Sequence, residues 1–321
     1  MTAVARQENR PLRIGTRGSP LALIQARMVR DALAAAHAPL AADAALEIVP
    51  IKTTGDAVQD RRLMDVGGKG LFTKEIEEAL LDGRIDCAVH SMKDMQTWLP
   101  DGLAIGAMLP REDPRDALIS RRGGACIADL PDGAVVGTAS LRRQAQLLAL
   151  RPDLRIVALR GNVETRLRKI AAGDADATLL AVAGLKRLGL TDKATAIVGV
   201  DEILPAVGQG AIGIEIRADD ARLLELLAPL DHAATTLCVT AERACLAELD
   251  GSCHTPIAAF AELSNGGAGI HLRSLIAMPD GGAVHRDDRE GPTAEPAVLG
   301  RRAGTALKAQ AAPAFFQMAS A

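Results

Sequence analysis

The chain is poor in aromatic side chains. Aromatic residues make up 2% of its 321 residues, and tyrosine is absent. Proteins that bind single-stranded nucleic acid by base stacking need such rings. The formal net charge of -3 also gives no overall attraction to a phosphate backbone or an anionic membrane. The composition therefore argues against a nucleic-acid partner.

Long hydrophobic runs are missing as well. No apolar run reaches the roughly 20 residues that a helix needs to cross a bilayer. The first ten residues, Met1 to Arg10, are polar and contain no apolar stretch of the signal-peptide type. We therefore expect a soluble protein of the cytoplasm that has no membrane partner.

Cysteine is scarce, and its spacing is uninformative. The chain has five cysteines, an odd number that argues against a disulfide framework, and none of them forms a CxxC or Cys/His pattern suited to zinc. We predict reduced thiols and no metal site. The cysteines are Cys87, Cys126, Cys238, Cys245 and Cys253.

What the chain has is an alternation of short apolar runs and helical patterns, first over residues 12–90 and again over residues 135–181. This order is typical of α/β domains, and the second series predicts a parallel sheet with helices on both faces. The segment Ala211 to Arg217 alternates like a strand, and we expect it to return to the first sheet. The predicted domains are 1–110 with 210–230, then 111–209, then 231–321.

The third domain is predicted to be smaller and of the α+β class. A helix over Ala233 to Leu249 precedes strands near Ile257 to Leu263 and His271 to Ala277, and a last helix is expected near Pro296 to Ala311. The stretch Pro279 to Pro292 is rich in Gly and Asp, which favours a loop.

Helix starts are marked by capping residues. Ser19, which Pro20 follows, and also Ser140 and Asn162 are residue types that commonly cap helices. The first turn of a helix presents unpaired amides and the positive end of its dipole, which favours bound anions.

One glycine motif has the wrong context for its usual function. Gly208 to Gly213 matches the dinucleotide pattern GxGxxG, but a proline-bearing loop precedes it and a strand-like segment follows. The fingerprint requires a strand before it and a helix after it. We therefore reject a dinucleotide site.

Arginines cluster where predicted strands end and helices begin. In open α/β sheets ligands bind at this edge, and arginine holds carboxylate or phosphate through paired hydrogen bonds. The pattern favours a polyanionic ligand over a merely solvated charged face. These arginines are Arg17, Arg142, Arg143, Arg160 and Arg166.

Two further residues are candidates for chemistry. Asp94 follows a predicted strand and suits general acid or base work, although an exposed turn aspartate is the alternative. Cys253 stands in a turn of small residues, where a thiol can act as a nucleophile or carry a covalent group. A lone loop cysteine is more often just a small residue, and His90 stays uncommitted between a structural and a catalytic role.

Together these segments resemble the porphobilinogen deaminase family, also called hydroxymethylbilane synthases. They appear in the family's order and cover most of the chain. The matching segments are Arg13-Ile14-Gly15-Thr16-Arg17-Gly18-Ser19-Pro20-Leu21-Ala22-Leu23, Thr54-Gly55-Asp56, Gly67-Gly68-Lys69-Gly70-Leu71-Phe72, Ala88-Val89-His90-Ser91-Met92-Lys93-Asp94, Gly137-Thr138-Ala139-Ser140-Leu141-Arg142-Arg143, Leu159-Arg160-Gly161-Asn162-Val163, Leu204-Pro205-Ala206-Val207-Gly208-Gln209-Gly210 and Gly251-Ser252-Cys253.

The resemblance implies a fold and a reaction. Two α/β domains similar to type II periplasmic-binding proteins are followed by a smaller α+β domain. The implied enzyme is a transferase of porphyrin, tetrapyrrole and heme biosynthesis. It joins four porphobilinogen molecules head to tail with loss of ammonia on a covalent dipyrromethane primer. Water then releases linear hydroxymethylbilane, and the family expectation is a monomer.

The resemblance also assigns roles to residues. It implies that Cys253 carries the dipyrromethane through a thioether and that Asp94 is the catalytic carboxylate, which stabilises pyrrole cations and azafulvene-like intermediates. Residues matching those that bind the cofactor or the substrate carboxylates are Arg17, Ser19, Lys69, Phe72, Lys93, Arg142, Arg143, Arg160, Arg166 and Arg187.

Two residues depart from the family pattern. Gln96 stands where the family usually has proline, and Asp65 stands where some relatives carry lysine. Neither change removes a chemical group that the assigned roles need, but both leave the local loops and their charge open.

Two other functions compete with the deaminase. A two-lobed ligand-binding protein would share the fold, but it would need neither a loop thiol in a third domain nor Asp94. A transferase acting on a phosphate ligand would use the same arginines, but the chain lacks a phosphate loop and metal-binding carboxylates.

Overall fold

The structure is a computed structural model that describes residues 10–57, 70–249, 256–311 and residue 315. Its strands, in chain order, are β1 (Leu12–Arg17), β2 (Leu46–Ile51), β3 (Cys87–Ser91), β4 (Leu103–Met108), β5 (Asp116–Ser120), β6 (Val135–Gly137), β7 (Arg155–Val157), β8 (Ala177–Ala181), β9 (Ala196–Val198), β10 (Ile212–Arg217), β11 (Ile257–Ser264), β12 (Gly269–Ala277) and β13 (Val284–Pro292).

The helices of the described residues alternate with these strands. They are α1 (Pro20–Ala36), α2 (Thr54–Ala57), α3 (Lys74–Leu81), α4 (Leu141–Leu150), α5 (Val163–Ala172), α6 (Val182–Arg187), α7 (Ala221–Leu227), α8 (Ala233–Glu248) and α9 (Pro296–Gln310). None of them is long and apolar enough to cross a membrane.

The chain folds into two compact units. Unit 1 comprises the described residues up to 57 together with 70–110 and 212–232, and unit 2 comprises 111–211 and the described residues from 233 onward. Unit 1 is therefore assembled from segments that are far apart in the sequence.

A five-stranded sheet in the order β2-β1-β3-β10-β4 forms the centre of unit 1. β1 pairs in parallel with β2 and with β3, whereas β10 lies antiparallel between β3 and β4. The prediction that Ala211 to Arg217 is a strand returning to the first sheet is thus confirmed. The expected context of the glycine motif is confirmed too, since a strand and not a helix begins at Ile212 within it.

Both faces of this sheet are covered by helices. On one face Val29 and Leu33 of α1 and Leu227 of α7 pack with Ile14 and Ile214 of the strands. On the other face the apolar side of α3 packs against the sheet in a separate cluster. A sheet buried on both faces is built from nearly continuous apolar strands, as β3 and β10 are.

Unit 2 contains a second five-stranded sheet, in the order β7-β6-β8-β5-β9. β6 runs parallel to β7 and β8, but β5 runs antiparallel to both β8 and β9. The predicted parallel arrangement of β6, β7 and β8 is confirmed, but the prediction of a parallel sheet is incomplete, because β5 and β9 join this sheet through antiparallel pairs. The sequence analysis did not mark β5 or β9, which lie outside the two alternating series over residues 12–90 and 135–181.

A three-stranded antiparallel sheet, β11-β12-β13, packs against α8 and α9 in the same unit. The predicted loop over Pro279 to Pro292 is wrong, because Val284–Pro292 forms the edge strand β13. Its residues alternate between exposed and half-buried and include several charges, which is how natural edge strands avoid pairing with other chains. The polar composition of this segment explains why the sequence analysis predicted a loop.

The fold class is confirmed: two α/β sheets with covering helices and a smaller α+β part. The predicted capping residues are confirmed as well. Ser19 accepts a hydrogen bond from the amide of Ala22, Ser140 accepts one from Arg143, and Asn162 accepts one from Thr165.

Candidate active site

One pocket of unit 1 lies where two neighbouring strands end. β1 ends at Arg17 and is followed by Ser19, while β3 ends at Ser91 and is followed by a tight turn over Met92–Asp94. Because β1 and β3 are parallel, their carboxyl ends meet at one edge of the sheet. The pocket is lined by Arg17, Ser19, Leu21, Ala22, Gln25, Phe72, Thr73, Val89, His90, Ser91 and Asp94.

Arg17 lies between an aromatic ring and a carboxylate. Its guanidinium carbon is 4.2 Å from the centroid of the Phe72 ring, and one guanidinium nitrogen is 3.8 Å from Oδ2 of Asp94. The Asp94 side chain is 36% exposed. The structure thus brings together Arg17, Phe72 and Asp94, which come from three different motifs of the sequence.

The turn that carries Asp94 rests on a buried methionine. Met92 is 1% exposed, and its carbonyl accepts a hydrogen bond from the amide of Met95 at 3.3 Å. A Cβ on Gly213 of β10 would lie 2.1 Å from the Met92 sulfur. Only glycine at this position of β10 leaves room for the Met92 side chain. The packing of Met92 against Gly213 therefore positions the turn that carries Asp94.

Hydrogen bonds from α2 fix the segment that contains Phe72 and the start of α3. The amide of Gly55 donates to the carbonyl of Leu71 at 2.7 Å, and the amide and hydroxyl of Thr54 both donate to Glu75. Burial opposes ionisation of Glu75, but the hydrogen bonds from Thr54 and the backbone outweigh it and lower its pKa. The Thr54-Gly55 motif therefore supports the segment that carries Phe72.

Two polar residues that line the pocket, His90 and Ser91, each pair with another polar side chain. His90 and Glu215 are both buried, with Nε2 of His90 3.1 Å from Oε2 of Glu215. Gln25 Nε2 lies 2.7 Å from the Ser91 hydroxyl. Sequence analysis missed Gln25 and Glu215, because no motif in the sequence marks either residue.

In unit 2, Arg142 and Arg143 start α4 and point to one buried carboxylate. Asp116 is 2.9 Å from Arg142 and 2.7 Å from Arg143, and Gln209 donates to it at 2.8 Å. Burial alone would raise the pKa of Asp116, but the two guanidinium groups hold it far below its usual range. Arg142 also donates to the carbonyl of Leu204 at 2.6 Å.

The remaining arginines of unit 2 differ in their surroundings. Arg166 donates from Nε to the carbonyl of Gly161 at 2.8 Å, and Arg160 is half-buried at the residue before this glycine. Arg187 donates to the carbonyl of Gly210 at 2.7 Å, while its Nε is buried with no hydrogen-bond partner among the described residues. Burial lowers the pKa of Arg187.

Two residues with an implied role, Lys69 and Cys253, and Asp65, which departs from the family pattern, lie outside the described residues. In the sequence Cys253 stands between α8 and β11. Lys93 is described and half-buried within the Asp94 turn.

Most of the other cysteines are buried. Burial raises the pKa of the Cys87 and Cys245 thiols to about 12 and that of Cys238 to about 11. Cys126 is half-buried. In the part of the chain that the structure describes, no group of three or more His, Cys, Asp or Glu is placed to hold a metal ion.

Comparison with known proteins identifies the family. Residues 12–225 match the family model described as porphobilinogen deaminase, dipyromethane cofactor binding domain, and residues 236–309 match the porphobilinogen deaminase C-terminal domain. The porphobilinogen deaminase of Nitrobacter hamburgensis is 57% identical over 95% of this chain and 95% of its own length. The chloroplastic porphobilinogen deaminase of Oryza sativa is 55% identical over 95% of this chain and 85% of its own.

Solved structures give weaker likenesses. A TRAP periplasmic solute binding protein from Desulfovibrio salexigens is 10% identical, with a TM-score of 0.42 over 69% of this chain and 72% of the other. The two family models and the relatives agree along nearly the whole sequence: the chain belongs to the porphobilinogen deaminase family, the hydroxymethylbilane synthases, which are transferases with a dipyrromethane cofactor.

Proposed function

We propose that this chain performs the family's reaction with Asp94 as its catalytic residue. The reaction condenses porphobilinogen units head to tail with loss of ammonia and ends with hydrolytic release of hydroxymethylbilane. A carboxylate beside the reacting ring stabilises positive charge on the pyrrole and takes part in moving the proton as ammonia leaves.

The observation that carries this proposal is the setting of Asp94. Its carboxylate lines the pocket, is partly exposed, and lies 3.8 Å from Arg17, which is longer than a hydrogen bond. The arginine therefore supplies a nearby positive charge without closing off the carboxylate. The guanidinium group of Arg17 lies over the Phe72 ring, which lines the same pocket.

The residues of unit 2 fit an anionic cofactor. A dipyrromethane carries acetate and propionate groups, and when bound it supplies the pyrrole carbon to which the first substrate is joined. Arg142 and Arg143 together exceed the charge of Asp116 by one positive unit, and the buried Nε of Arg187 is a donor without a partner among the described residues. We propose that these three arginines bind carboxylates of the cofactor or the growing chain.

The other assigned residues complete the proposal. Arg17 and Ser19 would bind substrate or cofactor carboxylates beside Asp94, as would Lys93 in the same turn. Further carboxylate contacts or ring contacts are proposed for Lys69, Phe72, Arg160 and Arg166.

We propose Cys253 as the residue that carries the cofactor. Its chemistry is thioether formation, which needs a reactive thiolate. Burial raises the pKa values of Cys87, Cys238 and Cys245 far above neutral pH, so these thiols are poor nucleophiles. The half-buried Cys126 is the alternative to be tested.

The first experiment is the intact mass of the purified chain under denaturing conditions, followed by peptide mapping. We expect an adduct of two condensed pyrrole units on the peptide containing Cys253. It should be lost in Cys253→Ser and kept in the control Cys126→Ser. An unmodified chain that stays unmodified and inactive after incubation with porphobilinogen would contradict the proposal and favour a ligand-binding protein.

The remaining assignments are proposals of the same kind. We propose a monomer that acts in the cytoplasm on porphobilinogen, with domains at 1–110 with 210–230, at 111–209 and at 231–321. Light scattering after gel filtration tests the monomer. Limited proteolysis with mass analysis of the fragments tests the domain limits.

A further inference from the structure

Gln96 lies two residues after Asp94, and its side chain reaches the segment that carries Phe72. Its Nε2 is 3.2 Å from the hydroxyl of Thr73, which directly follows Phe72. The same nitrogen is 3.3 and 3.4 Å from the two carboxylate oxygens of Glu77, one turn into α3. One amide group thus joins two segments that are about twenty residues apart in the chain.

The backbone of Gly70 packs against the side-chain amide of Gln96. Gly70 has a φ of +79°, and a Cβ added there would lie 2.5 Å from the Gln96 Nε2. Its carbonyl accepts hydrogen bonds from the amides of Thr73 and Lys74, which start the turn into α3. The Gln96 side chain is therefore packed into the turn that leads past Phe72.

These two segments are opposite parts of the candidate active site. Phe72 and Thr73 line the pocket from one segment, and Asp94 lines it from the other. Arg17 contacts both, with Phe72 against its guanidinium group and Asp94 3.8 Å away. The Arg17–Asp94 ion pair is partly exposed to solvent, so by itself it holds the two segments together only weakly.

The partner Glu77 makes the link stronger than a surface contact. Glu77 is buried near Glu215, and desolvation together with that second negative charge raises its pKa, while hydrogen bonds from Thr73 and Gln96 oppose the shift. A neutral amide donating to a buried carboxylate is worth more than an exposed pair of the same kind.

We propose that Gln96 is a positioning residue that fixes the Asp94 turn against the Phe72 segment, so that carboxylate and ring keep their spacing in the pocket. This inference rests on the proposed function of Asp94. Gln96 itself does not touch the reacting atoms in this scheme; it acts through Thr73 and Glu77.

The test uses Gln96→Met, which keeps the length of the side chain and removes its hydrogen bonds. We expect kcat with porphobilinogen to fall about tenfold, with KM within twofold of the wild type and the same cofactor mass on the chain. The control Gln310→Met removes one hydrogen bond to the carbonyl of Arg286 in unit 2 and should leave kcat unchanged. A kcat for Gln96→Met within twofold of the wild type would overturn the proposal.

A double-mutant cycle separates positioning from general destabilisation. Thr73→Val removes the hydroxyl, Thr73→Ser keeps it, and we expect the serine variant to retain turnover. Gln96→Met combined with Thr73→Val should be little worse than the worse single variant, because both changes break one shared contact. Losses that multiply would contradict the link.

Hydrogen exchange tests the same link without substrate. Amides of residues 70–73 and 94–97 should exchange faster in Gln96→Met than in the wild type, and equal exchange would overturn the inference. If the wild type lacks turnover, the proposed function fails while the exchange result still decides the role of Gln96.

Discussion

Each unit contains a site in which aspartate lies beside arginine, and the two sites differ in how far the carboxylate is exposed to solvent. Asp116 is fully buried and bonded to Arg142 and Arg143 at 2.9 and 2.7 Å. Asp94 is 36% exposed and 3.8 Å from a single arginine, Arg17. Removing charges from water is costly unless every partner is in place, so the carboxylate of the first site is closed off and fixes its two arginines, while the carboxylate of the second is open to a ligand.

The strongest way to test this comparison is to remove the open carboxylate. Asp94→Ala should lower kcat by about 10² to 10⁴-fold, the usual loss for a general acid or base. The free energy of unfolding should change by less than about 1 kcal/mol, since the ion pair is half-exposed. Steady-state assays and urea unfolding measure the two quantities.

The matched control is Asp31→Ala, which removes an exposed aspartate paired with Arg30 at 2.7 Å. It should keep turnover. Retained turnover in Asp94→Ala would show that Asp94 has no part in the reaction. A large loss of stability in this variant would show that Asp94 stabilises the fold as Asp116 is expected to do.

Removing the closed carboxylate should act on stability first. Asp116→Asn keeps the shape but leaves two buried guanidinium groups with a neutral partner. We expect a loss of about 3 to 5 kcal/mol in the free energy of unfolding, measured by urea titration. Asp201→Asn, at the exposed pair with Arg273, is the control and should show no measurable change. Unchanged stability in Asp116→Asn would mean that this site is not structural.

The closed site also predicts a pH dependence. The folded pKa of Asp116 is lowered, so its contribution to stability is complete above the unfolded pKa of about 3.9 and is lost as the pH falls toward the folded value. The stability difference between wild type and Asp116→Asn should be constant from pH 7 to about pH 5 and then shrink, approaching about 1.4 kcal/mol per pH unit. A difference that grows on acidification would contradict this sign.

The smallest effect is expected at the arginine of the open site. Arg17→Lys keeps the charge but loses the flat group stacked on Phe72, an interaction worth about 0.5 to 1 kcal/mol. The value of kcat/KM should fall about twofold to fivefold. Arg30→Lys on the same unit is the control, and an equal change in both variants would show that the stacking has no role in the reaction.

The placement of Arg17 and Asp94 at one edge of a sheet was predictable from sequence, while the placement of Asp116 beside Arg142 and Arg143 was not. Arg17 and Asp94 follow apolar runs that form neighbouring parallel strands, and such strands bring their ends together. Asp116 begins β5, a strand that no pattern marked, so its pairing with two arginines was invisible. Glu215 escaped because β10 is buried on both faces, and alternation then gives no sign of which side a residue faces.

The placement of β10 has a consequence for how the chain acquires its structure during synthesis. His90 and Glu215, neighbours on β3 and β10, are 125 residues apart. Loop closure over such distances is slow, and a ribosome delivers β3 and β4 long before β10. Until then both strands expose an unpaired edge at the centre of unit 1. A chain ending before Ile212 would keep that edge permanently, which makes nascent or truncated forms prone to aggregation even where every residue of the pocket is already present.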